Sequence, residues 1–300
     1  ERFAVADSRA SPPGLVQLRA ERPAVEVHLG PFDADLFRRQ TRIIVSPGVS
    51  LQEPALQAAH AAGVEIFGDI ELFARSVDAP VVGITGSNGK STVTTLVGAM
   101  AKASGLETRV GGNLGTPALE LLLESDEAGA PDLYVLELSS FQLETVATLN
   151  CRAATVLNLS ADHLDRHGDM EGYAALKQHI FCGDGVMVLN ADDSRVSAMA
   201  EKGREVRWFS LEAPHDEVAY GVRWIDGRAN LCCGTEAILP VEELKIAGRH
   251  NWANALAALA LGDAMAFPRA AMLRALREFS GLPHRCQWVT EINGVNWYDD

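Results

Sequence analysis

Short apolar runs, most of them closed by Gly, Pro, Asp or Ser, alternate along the chain with longer segments of helical periodicity. This alternation predicts parallel β-sheets with helices between the strands, and it places ligands at the carboxyl ends of the strands. We predict strands at 3–6, 43–45, 64–67, 80–85, 107–110, 132–138, 154–158, 185–190 and 286–291. We predict helices at 54–62, 90–104, 171–180, 250–262 and 268–279, and one that begins at Pro117 with Thr116 as its N-cap. The less regular stretch 205–239 predicts an antiparallel patch.

Two alternating series are visible, and the second begins near Pro80. A length of 300 residues suits about two domains. The run Gly281-Leu282-Pro283 has the character of a linker, after which a new strand opens. The chain starts at Glu1 without Met and ends at Asp300 directly after a strand-like stretch, so we expect a fragment of a longer protein.

Charge and composition exclude several classes of partner. A net charge of −14 argues against nucleic acid, whose phosphates require a basic surface. The apolar run Ala253–Ala260 is shorter than the roughly 20 residues that span a bilayer, and it is closed by Asp263, so it predicts a buried core helix and no membrane partner. No signal-peptide pattern opens the chain. The five cysteines are spaced for neither a zinc site nor a disulfide framework, which predicts reduced thiols and a cytoplasmic protein.

The segment Gly83–Thr92 (GITGSNGKST) predicts a strand that leads through a glycine-rich loop into a helix. Backbone N–H groups of such a loop and helix point at phosphates, a lysine charges the outer phosphates, and a hydroxyl reaches Mg²⁺. The common P-loop pattern has a glycine where this chain has Ile84, so an ordinary tight turn stays open as an alternative. The residues predicted to bind nucleotide are Gly86, Ser87, Asn88, Gly89, Lys90, Ser91 and Thr92.

Three more side chains are candidates for chemistry. Glu137 ends an apolar strand, where a second acid of a P-loop sheet binds Mg²⁺, although a surface glutamate is the alternative. His163 lies in the polar loop after the next strand, and its neutral imidazole can bind a divalent ion or serve the structure. Lys177 lies in a predicted helix, where a solvated lysine is the usual case. His167 has no supporting context and is set aside.

Six runs of the chain carry a family resemblance: GITGSNGKST, GGNLGTPAL, LYVLELSSFQLE, NLSADHLDRH, AGRHNWANALAALAL and GLPHR. Together they resemble the Mur ligases, the ATP-dependent amino-acid ligases of peptidoglycan synthesis, over essentially the whole chain. ELSSFQLE and GGNLG resemble the branch that adds D-glutamate. The resemblance implies ligation of D-glutamate to UDP-N-acetylmuramoyl-L-alanine through an acyl phosphate, with release of ADP and phosphate. It also implies that the partners are these small-molecule substrates and that the protein is a monomer.

The resemblance also implies an α/β fold in three parts. Residues 1–77 would be an incomplete Rossmann-like N-terminal domain that binds the UDP-sugar. Residues 78–281 would be the central P-loop ATPase-type domain with a parallel sheet. Residues 282–300 would hold only the first strand of a third α/β domain that binds the amino acid.

Site residues follow from the resemblance as well. Glu137 and His163 would each help to hold one of two Mg²⁺ ions, with Ser91 beside the phosphates. Lys177 matches the family lysine that reacts with CO₂ to give a carbamate, an anion with oxygen ligands that suit hard cations. The predicted ATP contacts from outside the loop are Asn251, Asn254, Arg285 and Asp300, with helix capping as the alternative for the two asparagines. The predicted substrate contacts are Ser8, Arg9, Ser46, Asn113, Ser139, Gln142, Asp162 and Arg166.

Other functions stay open from the sequence. A sister Mur ligase or a folylpolyglutamate-type ligase would share the P-loop and add another amino acid. A nucleotide-switch protein of the GTPase type would need an Asn-Lys-x-Asp motif to recognise guanine, and the sequence contains no such motif. The present chain could also bind ATP without ligase activity of its own.

Overall fold

The computed structural model describes residues 2–282, 287–292 and 295–299. It forms two compact units, Glu1–Gly68 and Asp69–Asp300. The strands are β1 (Ala4–Asp7), β2 (Glu26–Leu29), β3 (Arg42–Val45), β4 (Glu65–Gly68), β5 (Val81–Thr85), β6 (Thr108–Gly112), β7 (Leu133–Glu137), β8 (Ala153–Val156), β9 (Val186–Asn190), β10 (Val206–Phe209), β11 (Tyr220–Ile225), β12 (Arg228–Cys233), β13 (Glu236–Pro240), β14 (Gln287–Ile292) and β15 (Val295–Asp299). The helices are α1 (Leu15–Glu21), α2 (Ala34–Arg38), α3 (Pro54–Ala61), α4 (Asp69–Ala74), α5 (Lys90–Ala103), α6 (Ala118–Ala128), α7 (Ser140–Leu143), α8 (Leu164–His167), α9 (Met170–Gln178), α10 (Ser194–Ser197), α11 (Arg249–Ala264) and α12 (Arg269–Glu278).

The first unit contains two short parallel pairs, β1 with β2 and β3 with β4. Its core is small and is built around α3, whose Ala55, Leu56 and Ala59 are buried with Phe37 and Val64. The sequence prediction missed β2, α1 and α2, because each is a short element without a clear apolar period.

The second unit is organised by a nine-stranded sheet in the order β13-β12-β11-β10-β9-β8-β5-β7-β6. The central strand β5 is buried at every position and pairs in parallel with β7 and β8. Because the parallel strands β5 to β9 share one direction, the loops that follow them meet at one edge of the sheet. This edge carries the candidate site.

The expected antiparallel patch at 205–239 is only partly antiparallel. Strand β10 pairs in parallel with β9 over four residues and extends the main sheet. Within the described residues of this stretch, only β11, β12 and β13 form antiparallel pairs. Sequence pattern missed this because β10 is short and only half-buried, so its apolar alternation is weak.

Two helices, α11 and α12, pack against α5. Helix α11 is buried along most of its length, from Ala255 to Leu261, which confirms the predicted core helix. Its small side chains allow close packing against α5, and α12 packs there as well. Within the described residues no helix is both long and apolar enough to cross a membrane. The described cysteines, Cys151, Cys182, Cys232 and Cys233, are free thiols.

Two local predictions need correction. Helix α6 begins at Ala118 with Pro117 at the N-cap, so Thr116 is not its cap. The carbonyl of Thr116 instead accepts the N–H of Gly112 at 2.9 Å, which ties the preceding loop to the end of β6. The segment after residue 282 holds two antiparallel strands, β14 and β15, and not a single strand. The pair Asn293-Gly294 between them is a common hairpin sequence that the strand prediction overlooked.

Candidate active site

The phosphate-binding loop joins β5 to α5. Gly89 precedes the helix with a left-handed backbone (φ 83°), and a Cβ there would collide with Oδ1 of Asn254. Gly86 also has a positive φ of 150°, and a Cβ would lie 3.0 Å from the Cβ of Leu157. Both positions therefore require glycine. The loop delivers the N-terminus of a fourteen-residue helix, whose dipole and first N–H groups favour an anion.

Two lysines meet at one carbonyl oxygen of this loop. The Nζ of Lys90 donates to the oxygens of Gly86 at 3.1 Å and Ser87 at 3.0 Å. The Nζ of Lys177 donates to the same Gly86 oxygen at 3.0 Å and to Oγ1 of Thr85 at 3.2 Å. Lys177 therefore lies at the phosphate-binding loop, although α9 lies far from the loop in sequence. Its role in the chemistry stays a prediction.

Lys177 is buried, with 2% of its surface exposed. Burial and the nearby charge of Lys90 lower the pKa of Lys177 to about 7, while Asp162 and Glu137 act weakly in the other direction. Its Nζ also lies 4.7 Å from the ring centre of Tyr173. An amine with a pKa near neutrality carries a substantial uncharged fraction, so it is a nucleophile and not only a cation.

Glu137 ends β7 and is buried, with 3% exposure. Its Oε1 accepts the Nδ2 of Asn113 at 2.9 Å, whereas Oε2 has no hydrogen-bond partner among the described residues. A buried carboxylate oxygen without a donor is costly unless a cation is bound. The residues present therefore fit a hard cation such as Mg²⁺ at Glu137.

His163 lies in the loop after β8 with a left-handed backbone (φ 50°) that is uncommon for a non-glycine residue. Its Nε2 is 3.6 Å from Oδ2 of Asp162, and its ring lies 5.0 Å from that of Phe141. Both side chains of the pair are half-exposed. No cluster of three His, Cys, Asp or Glu side chains with metal-site geometry occurs in the described part of the chain. The metal role of His163 stays a prediction.

His167 was set aside in the sequence analysis, yet it packs in the site. Its Nε2 is 3.0 Å from Oγ of Ser140, and its ring stacks on Tyr173 with centres 5.4 Å apart. Burial lowers the pKa of His167. The ring contacts from Phe141 through His167 to Tyr173 connect the His163 loop with Lys177. Only the fold reveals this, because no sequence signal separates His167 from a surface histidine.

Ser139 and Gln142 have a clear local role. The Oγ of Ser139 accepts the Gln142 N–H at 3.2 Å, and the Gln142 side chain accepts the Ser139 N–H at 3.0 Å. This capping box opens α7 directly after β7. Arg166 donates to Oε2 of Glu144 at 2.7 Å. Substrate contacts by these residues and by Asp162 stay predictions.

Asn251 and Asn254 lie on α11 near the loop. The Nδ2 of Asn254 donates to Oδ1 of Asn251 at 2.9 Å, and the Nδ2 of Asn251 donates to the Ala247 oxygen at 2.7 Å. The predicted alternative role in capping is wrong, because α11 begins at Arg249 with Gly248 at the N-cap. Asn254 lies against Gly89 of the loop. The nucleotide contacts of both asparagines stay predictions.

The other predicted sugar contacts lie in the first unit. Arg9 follows β1, and its guanidinium donates to both carboxylate oxygens of Asp7, at 2.9 and 2.7 Å. The side-chain hydrogen bond from Arg9 lowers the pKa of Asp7 to about 2. Ser8 follows the same strand, and Ser46 follows β3. Arg285 and Asp300 lie outside the described residues.

The sequence matches two family models. The Mur ligase middle domain matches residues 84–262, and the Mur ligase MurD-like N-terminal domain matches residues 1–68. The chain is 56% identical over 299 residues to the UDP-N-acetylmuramoylalanine--D-glutamate ligase of Nitrosococcus oceani, covering 99% of this chain and 65% of that protein. It is 53% identical over 298 residues to the protein of the same name from Pseudomonas putida, again with 99% and 65% coverage. The chain thus spans about 65% of the length of these relatives.

Solved structures agree in fold. The UDP-N-acetylmuramate:L-alanyl-gamma-D-glutamyl-meso-diaminopimelate ligase of Neisseria meningitides aligns with a TM-score of 0.61 at 19% identity, over 92% of this chain and 90% of that one. The UDP-N-acetylmuramate-alanine ligase of Thermotoga maritima aligns with a TM-score of 0.57 at 22% identity, over 94% and 64%. The fold, the loop around Lys90 and the two matching family models lead to one conclusion: the chain belongs to the Mur ligase family.

Proposed function

We propose that the protein is an ATP-dependent ligase that adds D-glutamate to UDP-N-acetylmuramoyl-L-alanine in peptidoglycan precursor synthesis. The observation that carries the proposal is the meeting of Lys90 and the buried Lys177 at one oxygen of the phosphate-binding loop. The high identity to ligases with this specificity supports the choice of substrates. The proposed compartment is the cytoplasm, and the proposed state is a monomer.

The nucleotide site would use the N-terminus of α5 for the phosphates, with Lys90 as a local cation. The chain is strongly acidic, at −14, so a triphosphate needs such local groups. Asn254 and Asn251 would lie on the nucleotide side of the loop, because Asn254 sits against Gly89. Release of Lys90 from its bonds to Gly86 and Ser87 would let its ammonium follow the outer phosphates.

Glu137 would hold one Mg²⁺ through its unpartnered Oε2, and Ser91, His163 and the modified Lys177 would complete the predicted sites of two ions. When bound, Mg²⁺ offsets the repulsion between a carboxylate and a triphosphate. Asn113 would keep the Glu137 carboxylate in place through its bond to Oε1.

Lys177 would act as a carbamate. The uncharged amine attacks the carbon of CO₂, a C–N bond forms, and one proton leaves to solvent. A pKa of about 7 makes the uncharged amine available near neutral pH. The product is an anion, which suits a position beside Lys90 and bound cations better than a second ammonium does.

The reaction itself needs no nucleophile from the protein. The terminal carboxylate of UDP-N-acetylmuramoyl-L-alanine would attack the γ-phosphorus of ATP, and ADP would leave. The amine of D-glutamate would then attack the acyl phosphate, and inorganic phosphate would leave. The role of Lys90 is to stabilise the charge that develops on the transferred phosphoryl group. Ser8, Arg9 and Ser46 would contact the UDP-sugar, and Arg285 and Asp300 would contact ATP.

An amino-acid panel tests the proposal. The complete protein is supplied with ATP, Mg²⁺ and UDP-N-acetylmuramoyl-L-alanine, and phosphate release is measured with each amino acid. We expect release only with D-glutamate. Dependence on another amino acid would indicate a sister Mur ligase. In a second assay a folate replaces the UDP-sugar, and phosphate release there would indicate a folylpolyglutamate-type ligase. The present chain, tested alone, is expected to bind ATP without ligation.

A further inference from the structure

The pairing of β5 with β8 continues beyond the ends of both strands. The N–H of Leu157 donates to the Thr85 oxygen at 2.9 Å, and the N–H of Ser87 donates to the Asn158 oxygen at 2.9 Å. The first residues of the phosphate-binding loop are therefore held as an extension of the sheet. This support comes from a segment some seventy residues later in the sequence.

The side chain of Asn158 adds two bonds to the next loop residue. Its Oδ1 accepts the N–H of Asn88 at 2.8 Å, and its Nδ2 donates to the oxygen of Asn88 at 3.0 Å. The amide group thus imitates a neighbouring backbone strand, with one donor and one acceptor facing the same residue.

The residues on either side of Asn158 are bonded to the end of β9 and the turn after it. The Nδ2 of Asn190 donates to the Leu157 oxygen at 2.9 Å, and the Leu159 N–H donates to Oδ2 of Asp193 at 2.7 Å. Both Asn190 and Asp193 belong to the end of β9 and the turn that follows. The loop around Lys90 is therefore supported by the segment after β8 and, behind it, by the end of β9, and not only by its own hydrogen bonds.

We propose that Asn158 is the positioning residue of the phosphate-binding loop, and that its amide sets the affinity of this chain for nucleoside triphosphates. The inference rests on the proposed nucleotide binding. The N–H groups of Ser87 and Asn88 donate to Asn158, so in this arrangement they are not directed at a phosphate. Phosphate contacts then fall to the N-terminus of α5, whose dipole and N–H groups favour an anion. Asn158 holds the loop that orients the N-terminus of α5.

The test compares Asn158→Ala with Asn150→Ala in the complete protein. Asn150 is a matched control, because its amide also makes two bonds to one residue: Nδ2 to Oδ1 of Asp184 at 3.2 Å, and the Asp184 N–H to its Oδ1 at 3.3 Å. It lies before β8, at the opposite edge of the sheet. Affinity for MgATP is measured by titration calorimetry, and unfolding by urea.

We expect MgATP to bind about tenfold to a hundredfold more weakly to Asn158→Ala, since two hydrogen bonds that order the loop are lost. Asn150→Ala should bind as the wild type does. Amide hydrogen exchange at residues 87–88 should become faster in Asn158→Ala alone, a local change that a general loss of stability would not produce.

Asn158→Asp provides a second variant of nearly the same shape. It keeps the acceptor for the Asn88 N–H but sets an oxygen against the Asn88 oxygen, so binding should be at least as weak as in Asn158→Ala. Equal MgATP affinity of wild type and both variants would overturn the inference while leaving the proposed function intact. No binding of MgATP by the wild type would overturn the proposed function and this inference together.

Discussion

Glu71 and Lys177 are buried charged residues of the same unit, and their surroundings differ sharply. Oε1 of Glu71 accepts from Nε of Arg75 and Oγ1 of Thr148, each at 2.8 Å. Its Oε2 accepts the N–H groups of Ala147 at 2.8 Å and Thr148 at 2.9 Å. Burial acts to raise the pKa of Glu71, but these hydrogen bonds outweigh it and the net pKa is lowered.

Lys177 has the opposite balance. It bonds to one hydroxyl and one carbonyl, neither of which is charged, and shares that carbonyl with a second lysine. Its charged form is therefore poorly supported, and its pKa falls to about 7. A buried charge whose hydrogen bonds are all satisfied stabilises the packing of two elements, here α4 and the segment that follows α7. A buried charge with few hydrogen bonds, such as that of Lys177, is instead available for chemistry. Glu137 resembles Lys177 in this respect, because Oε1 is hydrogen-bonded and Oε2 has no partner among the described residues.

Replacement of Lys177 should have the largest effect. Lys177→Ala in the complete protein should lower the ligation rate roughly 10²–10³-fold, because the carbamate that would hold Mg²⁺ beside the transferred phosphoryl is lost. A short-chain carboxylate in the assay should restore part of the rate. Lys202→Ala, at an exposed position, is the control and should be near normal. Near-normal activity of Lys177→Ala without rescue would contradict the carbamate role.

Removal of Glu71 should affect stability and spare binding. Glu71→Ala leaves two backbone N–H groups and a hydroxyl without their acceptor, so the free energy of unfolding should fall by about 3 kcal/mol. MgATP affinity of the folded variant should be unchanged. Glu107→Ala is the control, because it removes an exposed glutamate whose carboxylate lies 3.3 Å from the guanidinium of Arg109. It should change the free energy of unfolding by less than about 0.5 kcal/mol. Weaker MgATP binding by Glu71→Ala would show that the two regions are not separate.

The two residues should also differ in their pH windows. The folded pKa of Lys177, about 7, is below its unfolded value of 10.5, so its burial penalty is full below pH 7 and fades as pH rises. In CO₂-free buffer the wild type should gain about 2 kcal/mol relative to Lys177→Met between pH 7 and 9. The folded pKa of Glu71 is lowered, so its stabilisation is present above the unfolded value of 4.5 and is lost in acid. Urea unfolding at each pH measures both, and parallel curves for wild type and Lys177→Met would contradict the lysine assignment.

The smallest expected effect sharpens the assignment of Glu137. Glu137→Gln keeps the shape and the bond to Asn113 but removes the charge, so ATP affinity in the presence of Mg²⁺ should fall about tenfold. Affinity measured with excess chelator should be unchanged, and stability should be equal or higher, since a buried charge is removed. A loss of affinity that is the same with and without Mg²⁺ would indicate that Glu137 does not act through the metal.

The sequence predicts the parts of this molecule that have a strong local signal. The loop around Lys90 and the strand that ends at Glu137 are such cases, since spacing and apolar runs mark both. The position of Lys177 followed only from family resemblance, because a helix lysine has no local mark of burial. Glu71, Asn158 and His167 were missed for a physical reason: each acts through partners that are distant in sequence, and only the completed sheet brings them together.

The strand order has a consequence for how this protein is made. The central strand β5 lies between β7 and β8, and β6 reaches the sheet only through β7. Residues 81–156 must therefore all have emerged from the ribosome before β5 has both neighbours. Until then a strand that is buried at every position in the folded protein is exposed, and such strands associate readily with other chains. We expect chaperone protection to matter while this stretch is being synthesised.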